Sequence, residues 1–352
     1  MAIILAVDAM GGDHGVNITV PSCLRFLDET PDVNVILVGD RDAIYKQIGD
    51  KLSQYSDRIE VVHATQIVGM DEAPQSAMRT KRDSSMRVAI NLVKEGKANA
   101  IVSAGNTGAL MAISRYVLRT MDGIDRPAIA KLLPTVKGEV CMLDLGANIE
   151  CSPEHLVQFG IMGAQLMRGV TGKASPSVGI LNIGSEDIKG NETVKKAAEL
   201  LKKTNLNFYG NVEGDDIFKS VVDVVVTDGF TGNVSLKTTE GVAKMIAFFL
   251  KEEFTSSWLT KLIALISYPV LKRLKLRLNP SKYNGAVLLG LNGLVIKSHG
   301  GADIDGFYYA LMQAHHEVDA GVIGLLQDYL QNNKHIDDES DELIEFNDLK
   351  SL

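Results

Sequence analysis

The sequence predicts an α/β fold in which helices cover both faces of a mostly parallel β-sheet. Short apolar segments such as 3–7, 33–38 and 59–63 have the length and the continuous apolar character of buried strands. Polar segments of helical length separate these strands along the chain. Strands that alternate with helices at this spacing form parallel sheets, so we expect three layers, α/β/α.

Composition places the chain among ordinary globular proteins. Of its 352 residues, 45% are hydrophobic and 23% are charged, and the formal net charge is −8, which argues against a general nucleic-acid-binding protein. The chain opens on a strand-like segment rather than a secretory leader, and no apolar run has the length of a membrane span, so we expect a cytosolic protein. We predict one α/β domain over residues 1–333, ending in a long helix over 303–333, and a flexible acidic tail over 334–352.

Small, polar or charged loops follow five of the predicted strands, which end near Val7, Val102, Leu143, Asn182 and Val226. In a parallel sheet the carboxyl ends of the strands lie on one edge, and open α/β sheets bind ligands there. We therefore expect the five loops to converge on one edge and to form a ligand site.

The loop over residues 103–108 has the composition of an anion-binding turn. It joins a buried strand to a predicted helix over 109–118, an arrangement that leaves backbone N–H groups free at the helix N-terminus. Ser103, Asn106 and Thr107 add side-chain donors. We place phosphate at this loop, while an ordinary strand–helix turn with strain-relieving glycines is the alternative interpretation.

Residues 254–279 differ in composition from the rest of the chain. They contain the single tryptophan, Trp258, and no Asp or Glu. Pro269 divides the segment, so we predict two short helices that form a protruding hairpin. An apolar tip beside a basic flank suits an anionic membrane surface or an acidic, lipid-bearing partner. The alternative is a dimer interface or a helix pair that caps the core.

Five motifs taken together resemble the bacterial phosphate acyltransferases of phospholipid synthesis. The motifs are Asp8-Ala-Met-Gly-Gly-Asp13, Ser103-Ala-Gly-Asn-Thr-Gly108, Asp144-Leu-Gly-Ala-Asn148, Asn182-Ile-Gly-Ser-Glu-Asp187 with Lys189-Gly190-Asn191, and Thr227-Asp-Gly-Phe-Thr-Gly-Asn233. The likeness extends from Ile3 to about Asn332. It implies an enzyme that makes acyl phosphate from acyl-acyl carrier protein and inorganic phosphate. It also implies a fold like that of phosphate acetyltransferases and isocitrate-dehydrogenase-type enzymes.

The resemblance further implies partners and a location. They are acyl carrier protein, inorganic phosphate, a second copy of the chain in a homodimer, and a downstream glycerol-phosphate acyltransferase that consumes the product. The expected location is the cytoplasm, with peripheral contact at the inner face of the cytoplasmic membrane. No cofactor and no nucleic acid are expected.

The chemistry that this resemblance implies needs no protein nucleophile, because phosphate dianion itself attacks a thioester. The site must hold two anionic reactants together and stabilise the developing oxyanion. We expect Asp8, Asp228 or His299 to orient or deprotonate phosphate, unless His299 only bonds to its own loop. Asn148, Asn233 or backbone N–H groups would stabilise the oxyanion, and Lys189 would assist at the phosphate.

The remaining predicted contacts fall into two groups. The phosphate- and substrate-binding residues are Gly11, Gly12, Ser103, Gly105, Asn106, Thr107, Gly108, Gly184, Glu186 and Thr231. The residues expected to touch the carrier protein or the membrane are Trp258, Leu262, Ile266, Lys272, Arg273, Lys275 and Arg277. No metal ion is predicted.

Three rival functions and one rival chemistry remain open at this point. A metal- and nicotinamide-dependent decarboxylating dehydrogenase would need its aspartates gathered around Mg²⁺. A non-catalytic membrane scaffold would need only the hairpin, and a short-chain phosphate acetyltransferase would not need its apolar surface. Cys141 or Cys151 could act as a catalytic thiol, but the sequence favours the alternative that both are buried, inert side chains.

Overall fold

The computed structural model describes residues 2–278 and 280–333, without the side chains of 274–280. One eleven-stranded sheet crosses the molecule, with an apolar core on each of its faces. This confirms the predicted α/β/α layering and the mostly parallel sheet. The predicted acidic tail, 334–352, lies outside the described residues.

The elements alternate along the chain at the spacing that the sequence predicts. The strands are β1 (Ile3–Asp8), β2 (Val33–Gly39), β3 (Ile59–His63), β4 (Ala100–Ser103), β5 (Ala128–Thr135), β6 (Gly138–Leu143), β7 (Ser177–Leu181), β8 (Asn207–Val212), β9 (Val224–Val226), β10 (Ala286–Leu289) and β11 (Leu294–Lys297). The helices are α1 (Val16–Glu29), α2 (Arg41–Ile48), α3 (Pro74–Thr80), α4 (Ser85–Lys94), α5 (Thr107–Leu118), α6 (Pro153–Thr171), α7 (Glu192–Leu201), α8 (Gly229–Thr255), α9 (Trp258–Leu278), α10 (Ile304–Asp319) and α11 (322–333).

The two cores follow from the alternation of side chains along each strand. In β1, Leu5 and Val7 point into one core and Ala6 into the other. Helices α1, α2, α6, α7 and α10 cover the first face, where Phe26 and Phe159 are fully buried, and α4 and α5 cover the second. Burial of each large apolar side chain stabilises the fold by about 1.5–3 kcal/mol.

The direction of the strands reverses in the middle of the sheet. The strand order is β3-β2-β1-β4-β11-β10-β5-β6-β9-β7-β8. Neighbours are parallel except in the pairs β11–β10, β10–β5 and β5–β6, which are antiparallel. Consequently β1, β2, β3, β4 and β11 run one way, and β6, β7, β8 and β9 run the opposite way.

The expectation that five loops converge on one edge is therefore wrong. The loops after β1 and β4 lie on what we call the first edge, together with the loop after β11. The loops after β6, β7 and β9 lie on the opposite, second edge. The parallel-sheet rule holds only within each half, because three antiparallel pairings in the middle invert the second half.

One row of paired residues nevertheless passes through both halves. The row consists of Val7, Val102, Ile296, Val287, Ala130, Leu143, Val226 and Ile180. Asp8 stands one residue beyond the row in one direction, and Asp144 stands one residue beyond it in the other. At about 3.3 Å per residue, the two edges are offset by only roughly 7 Å along the strand direction.

The helical hairpin is larger than predicted. It consists of α8 and α9, joined at residues 256 and 257, so we define the hairpin as residues 229–278. The prediction of two short helices divided at Pro269 is wrong, because α9 continues through that proline. A proline in a helix removes its own N–H donor but can leave the flanking turns intact at the cost of a kink.

The predicted long helix over 303–333 is also wrong, since it consists of two helices, α10 and α11. Gly321 separates them with a left-handed φ of 63°, a conformation that glycine adopts without steric cost. Among the residues that the structure describes, no helix is both long enough and apolar enough to span a bilayer.

A carboxylate that the sequence does not single out is buried beneath the sheet. Glu317 of α10 is 1% exposed, and its Oε1 accepts a hydrogen bond from Nε2 of Gln313 at 2.5 Å. Its Oε2 has no partner within the described residues. Burial raises the pKa of Glu317 to about 8. The native state therefore holds a proton that the unfolded chain releases above pH 4.5, so stability falls as the pH rises from about 4.5 to 8.

We predict that Glu317→Gln stabilises the protein increasingly between pH 5 and pH 8. The amide is neutral in both the folded and the unfolded chain, so the variant avoids the cost of protonating Glu317 on folding, which grows by about 1.4 kcal/mol per pH unit in this range. Thermal unfolding at several pH values measures the difference. Glu199→Gln, at an exposed position of α7, is the control. A stability difference for Glu317→Gln that does not grow with pH would contradict the prediction.

Candidate active site

The buried carboxylate of Asp8 holds residues of the first edge together by hydrogen bonds. Its Oδ1 accepts a hydrogen bond from Oγ of Ser85 at 2.6 Å, and its Oδ2 accepts one from Oγ of Ser103 at 2.7 Å. Ser103 Oγ in turn accepts the N–H of Gly105 at 3.0 Å. Burial raises the pKa of Asp8, although these hydrogen bonds oppose the shift. Asp8 and Ser103 therefore hold the loop 103–108 in place instead of facing solvent.

Glycines allow the loops of the first edge to pack against one another. A Cβ on Gly11 would lie 2.5 Å from Oδ2 of Asp8 and 2.8 Å from the backbone nitrogen of Gly105. Gly12 has a φ of +87° and approaches the carbonyl oxygen of Gly300. The backbone of the β1 loop is thereby brought against the loops that follow β4 and β11.

The N-terminus of α5 retains the donors that could meet an anion. Asn106 caps the helix through its Oδ1, and its Nδ2 donates to the carbonyl oxygens of Met70 and Glu72 at 2.9 and 3.0 Å. Thr107 and Gly108 are exposed, and their N–H groups and the Thr107 hydroxyl have no partner within residues 2–278 and 280–333. An anion at this loop would meet these three donors, because the side chains of Ser103 and Asn106 are already bonded within the protein.

The second edge is organised around Asp144. Its carboxylate accepts hydrogen bonds from the N–H groups of Ile129, Gly146, Ala147 and Asn148 and from the Asn148 side chain. Burial raises the pKa of Asp144, and these donors oppose the shift. Nδ2 of Asn148 also donates to the carbonyl oxygen of Pro127 at 2.8 Å, so both of its hydrogens are used.

The start of α8 packs directly on this loop. A Cβ on Gly232 would lie 1.9 Å from the carbonyl oxygen of Asp144, so only glycine fits there. Asp228 caps the helix and accepts both the N–H and the hydroxyl of Thr231, at 2.8 and 2.7 Å. Nδ2 of Asn233 donates to the carbonyl oxygen of Leu145 at 3.1 Å, which leaves its second hydrogen for another acceptor.

The loop over 182–191 contributes the other predicted residues of the second edge. Glu186 and Lys189 are exposed, while Gly184 is buried beneath them. A Cβ on Gly184 would lie 2.7 Å from Oε2 of Glu186. The structure thus places Lys189 on the opposite edge from the loop 103–108, with which it was expected to share a phosphate.

His299 stands on the first edge, immediately after β11. Its ring Nδ1 accepts a hydrogen bond from the backbone N–H of Gly301 at 3.2 Å, and the backbone N–H of His299 donates to Oδ1 of Asn284 at 3.0 Å. Burial lowers the pKa of His299, and Lys237 and Lys297 lower it further. A neutral imidazole that accepts at Nδ1 carries its proton on Nε2, so the free side of the ring is a donor rather than a base.

Neither thiol has the surroundings of a nucleophile. Cys141 is fully buried, and burial raises its pKa well above the usual range. Burial also raises the pKa of Cys151 to about 11. The aspartates of the rival metal enzyme are divided, with Asp8 and Asp13 on the first edge and Asp144 and Asp228 on the second. Within the described part of the chain, no three His, Cys, Asp or Glu residues form a group that could hold a metal ion.

The residues predicted to contact a membrane or carrier protein lie along α9. Trp258, Leu262 and Ile266 are 78%, 46% and 74% exposed. Lys272 and Arg273 are exposed further along the helix. The side chains of Lys275 and Arg277 lie outside the described part of the structure.

Four charged residues near His299 were not predicted from the sequence. They are Lys131 of β5, Lys237 and Glu240 of α8, and Lys297 of β11. The sequence contains a sign of Lys131 and Lys297, because each is the one charged residue of a largely apolar strand. Lys237 and Glu240 carry none, since charged residues are ordinary on a helix surface.

Comparisons with known proteins agree with the fold and identify the family. Residues 3–325 match the family described as "Fatty acid synthesis protein". A phosphate acyltransferase of Chromobacterium violaceum is 62% identical over 93% of this chain and 95% of its own length, and one of Paraburkholderia phytofirmans is 54% identical over 95% and 90%. A phosphotransacetylase from Streptococcus pyogenes superposes with a TM-score of 0.61 at 15% identity, covering 92% of this chain and 94% of its own. A 4-hydroxythreonine-4-phosphate dehydrogenase from Burkholderia phymatum shares the fold at a TM-score of 0.52 and 14% identity, over 90% and 98%. The two motif-bearing edges, the fold and the sequence relatives lead to one conclusion: the chain belongs to the phosphate acyltransferase family.

Proposed function

We propose that this protein transfers a fatty acyl group from the thioester of acyl carrier protein to inorganic phosphate and supplies acyl phosphate for phospholipid synthesis. The observation that carries the proposal is 62% identity with a phosphate acyltransferase over 93% of the chain. A phosphate oxygen attacks the thioester carbonyl carbon, so a C–O bond forms and the C–S bond breaks. The carrier leaves as a thiolate, and the proton that the phosphate gives up restores its thiol. A downstream glycerol-phosphate acyltransferase would consume the product.

Phosphate is proposed to bind at the N-terminus of α5. The free N–H groups of Thr107 and Gly108 and the Thr107 hydroxyl converge there, at the positive end of a twelve-residue helix. Gly11, Gly12 and Gly105 shape the loop, and Asp8 holds it in position. Of the two candidate amides for the oxyanion, only Asn233 has a hydrogen without an acceptor among the described residues.

The acyl chain is proposed to lie over the second edge. Five large apolar side chains are at least half exposed there, on two loops and the start of α8: Ile149, Ile183, Ile188, Phe230 and Val234. Exposed apolar side chains grouped in this way are typical of ligand-binding surfaces. An acetyl group would cover little of this surface, which favours a long-chain substrate over the short-chain alternative.

The hairpin is proposed to serve both the homodimer and peripheral contact with the inner face of the cytoplasmic membrane. Apolar side chains are exposed on both of its helices, among them Met245, Phe248 and Phe249 on α8 and Leu265 on α9. Two helices cannot shield so much apolar surface from water by packing on each other alone. The part of the hairpin nearer the sheet would pair with a second copy of the chain, and the tip near Trp258 would enter the headgroup region. Lys272, Arg273, Lys275 and Arg277 would meet anionic lipid or the acidic carrier protein.

The reaction is tested with purified protein, long-chain acyl carrier thioester and inorganic phosphate. We expect acyl phosphate, trapped as the hydroxamate by hydroxylamine, and a much lower kcat/KM with the acetyl thioester. A non-catalytic scaffold would give no hydroxamate. Equal kcat/KM values for the two thioesters would instead favour a short-chain enzyme.

We predict that Thr107→Val raises the KM for phosphate about tenfold, because the variant removes a hydroxyl donor to a charged ligand. The KM for the acyl carrier thioester should stay constant. Thr107→Ser, which keeps the hydroxyl, is the matched control and should behave like the wild type. If the KM for phosphate is unchanged in Thr107→Val, phosphate does not bind at α5.

We predict that Trp258→Glu combined with Leu262→Glu detaches the protein from vesicles containing anionic lipid. Two carboxylates at the tip oppose burial in the headgroup region and repel the anionic surface. Vesicle sedimentation measures binding, and analytical ultracentrifugation reports the oligomeric state. Tyr45→Glu with Ile67→Glu adds the same charges at exposed apolar positions away from the hairpin. Vesicle binding that survives the tip variant would exclude the hairpin as the membrane anchor.

A further inference from the structure

Three lysines from three different elements lie near His299. Lys131 comes from β5, Lys237 from α8 and Lys297 from the end of β11. All three lie close enough to His299 to lower its pKa. We call these four residues the cationic cluster. It joins the first edge to the α8 helix, which begins on the second edge.

Direct contacts with carboxylates balance only part of the positive charge of the three lysines. Glu240 is the carboxylate that pairs with the cluster, at 3.7 Å from Nζ of Lys131 and 2.9 Å from Nζ of Lys237. Lys297 contacts no carboxylate in the described part of the chain, and its Nζ donates instead to the carbonyl oxygens of Ala104, at 3.3 Å, and Ser298. Asp8 and Asp13 act on Lys297 only from a greater distance, and Asp8 is already bonded to two serines.

Two of these lysines are held where a charge is costly. Lys297 is 9% exposed, and burial lowers its pKa to about 8; burial also lowers the pKa of Lys131. Burying an ammonium group without a balancing anion costs several kcal/mol. The ion pairs that join α8 to β5 involve only Lys131, Glu240 and Lys237, so they do not account for the buried charge of Lys297.

The imidazole adds a neutral donor to this group. Nδ1 of His299 accepts the backbone N–H of Gly301, so in the neutral ring Nε2 carries the proton and can donate it to a ligand. Ammonium groups together with a directed N–H suit a tetrahedral oxyanion with several acceptor oxygens.

We propose that Lys131, Lys237, Lys297 and Nε2–H of His299 form a binding site for a substrate phosphate group. The inference rests on the proposed function, which supplies two phosphate groups: inorganic phosphate and the phosphodiester of the carrier's prosthetic arm. Lys237 lies seven residues along α8 from Phe230, which is about 10 Å at 1.5 Å per residue. An anion held by the cluster would therefore stand within reach of a thioester whose acyl chain covers the second edge.

The test measures binding without turnover, by isothermal titration calorimetry with inorganic phosphate and with holo-carrier protein. The variants are Lys237→Gln, at an exposed position, and Lys297→Met, which keeps the bulk of a buried side chain. Lys94→Gln, on the exposed surface of α4, is the matched control. Loss of one charge-assisted hydrogen bond should lower the affinity for the affected ligand about tenfold or more.

The two sources of phosphate give different results. If the cluster holds inorganic phosphate, both variants weaken phosphate binding and leave the affinity for holo-carrier unchanged. If the cluster holds the phosphodiester, both variants weaken the binding of holo-carrier protein. The binding of apo-carrier protein, which lacks the prosthetic arm, is then unchanged. Unchanged affinities for both ligands in Lys237→Gln would overturn the proposal whether or not Lys297→Met folds. Failure of the protein to form acyl phosphate, with phosphate binding still dependent on the cluster, would refute the proposed reaction and leave this site standing.

Discussion

The reversal of strand direction in the middle of the sheet is the constraint on which the rest of the molecule depends. Three antiparallel pairings, β11–β10, β10–β5 and β5–β6, turn one half of the sheet against the other. Without them, all the motif-bearing loops would lie together. With them, each half presents its own carboxyl edge, and only an element that passes from one edge to the other can unite the two. The first turns of α8 do this, since they begin beside Asp144 and continue to Lys237 and Glu240 near His299.

The sequence predicts local structure well because local structure depends on local pattern. Ile59–His63 is a strand at the predicted bounds, and α6 begins at Pro153, where a proline is favourable in a first turn. Strand direction depends instead on partners far apart in the chain. Val287 pairs with Ala130, more than 150 residues away, and no periodicity in either segment records that pairing. The loops were therefore identified correctly and assembled incorrectly.

The candidate site shows a second limit of the same kind. A sequence shows that Ser103, Asn106 and Asn148 can donate hydrogen bonds, but not whether their hydrogens are already used. All three are committed to neighbouring protein atoms, which leaves backbone groups and Thr107 to meet an anion. The proposed site adds the positive charge of Lys131, Lys237 and Lys297, which act together on His299. Their proximity arises only when β5, α8 and β11 are brought together, so it could not be inferred from spacing.

The length of α8 has a mechanical consequence. One uninterrupted helix of 27 residues carries Glu240, which is tied to Lys131 of the sheet, and extends fifteen residues further to Thr255 at the far end of the hairpin. That overhang is about 22 Å at 1.5 Å per residue, so a tilt of roughly 5° about the tied point displaces the far end by about 2 Å. The Lys131–Glu240 ion pair would then act as the pivot of the α8 helix. Because the helix is continuous, such a tilt would move the residues beside Glu240 and the far end of the hairpin together.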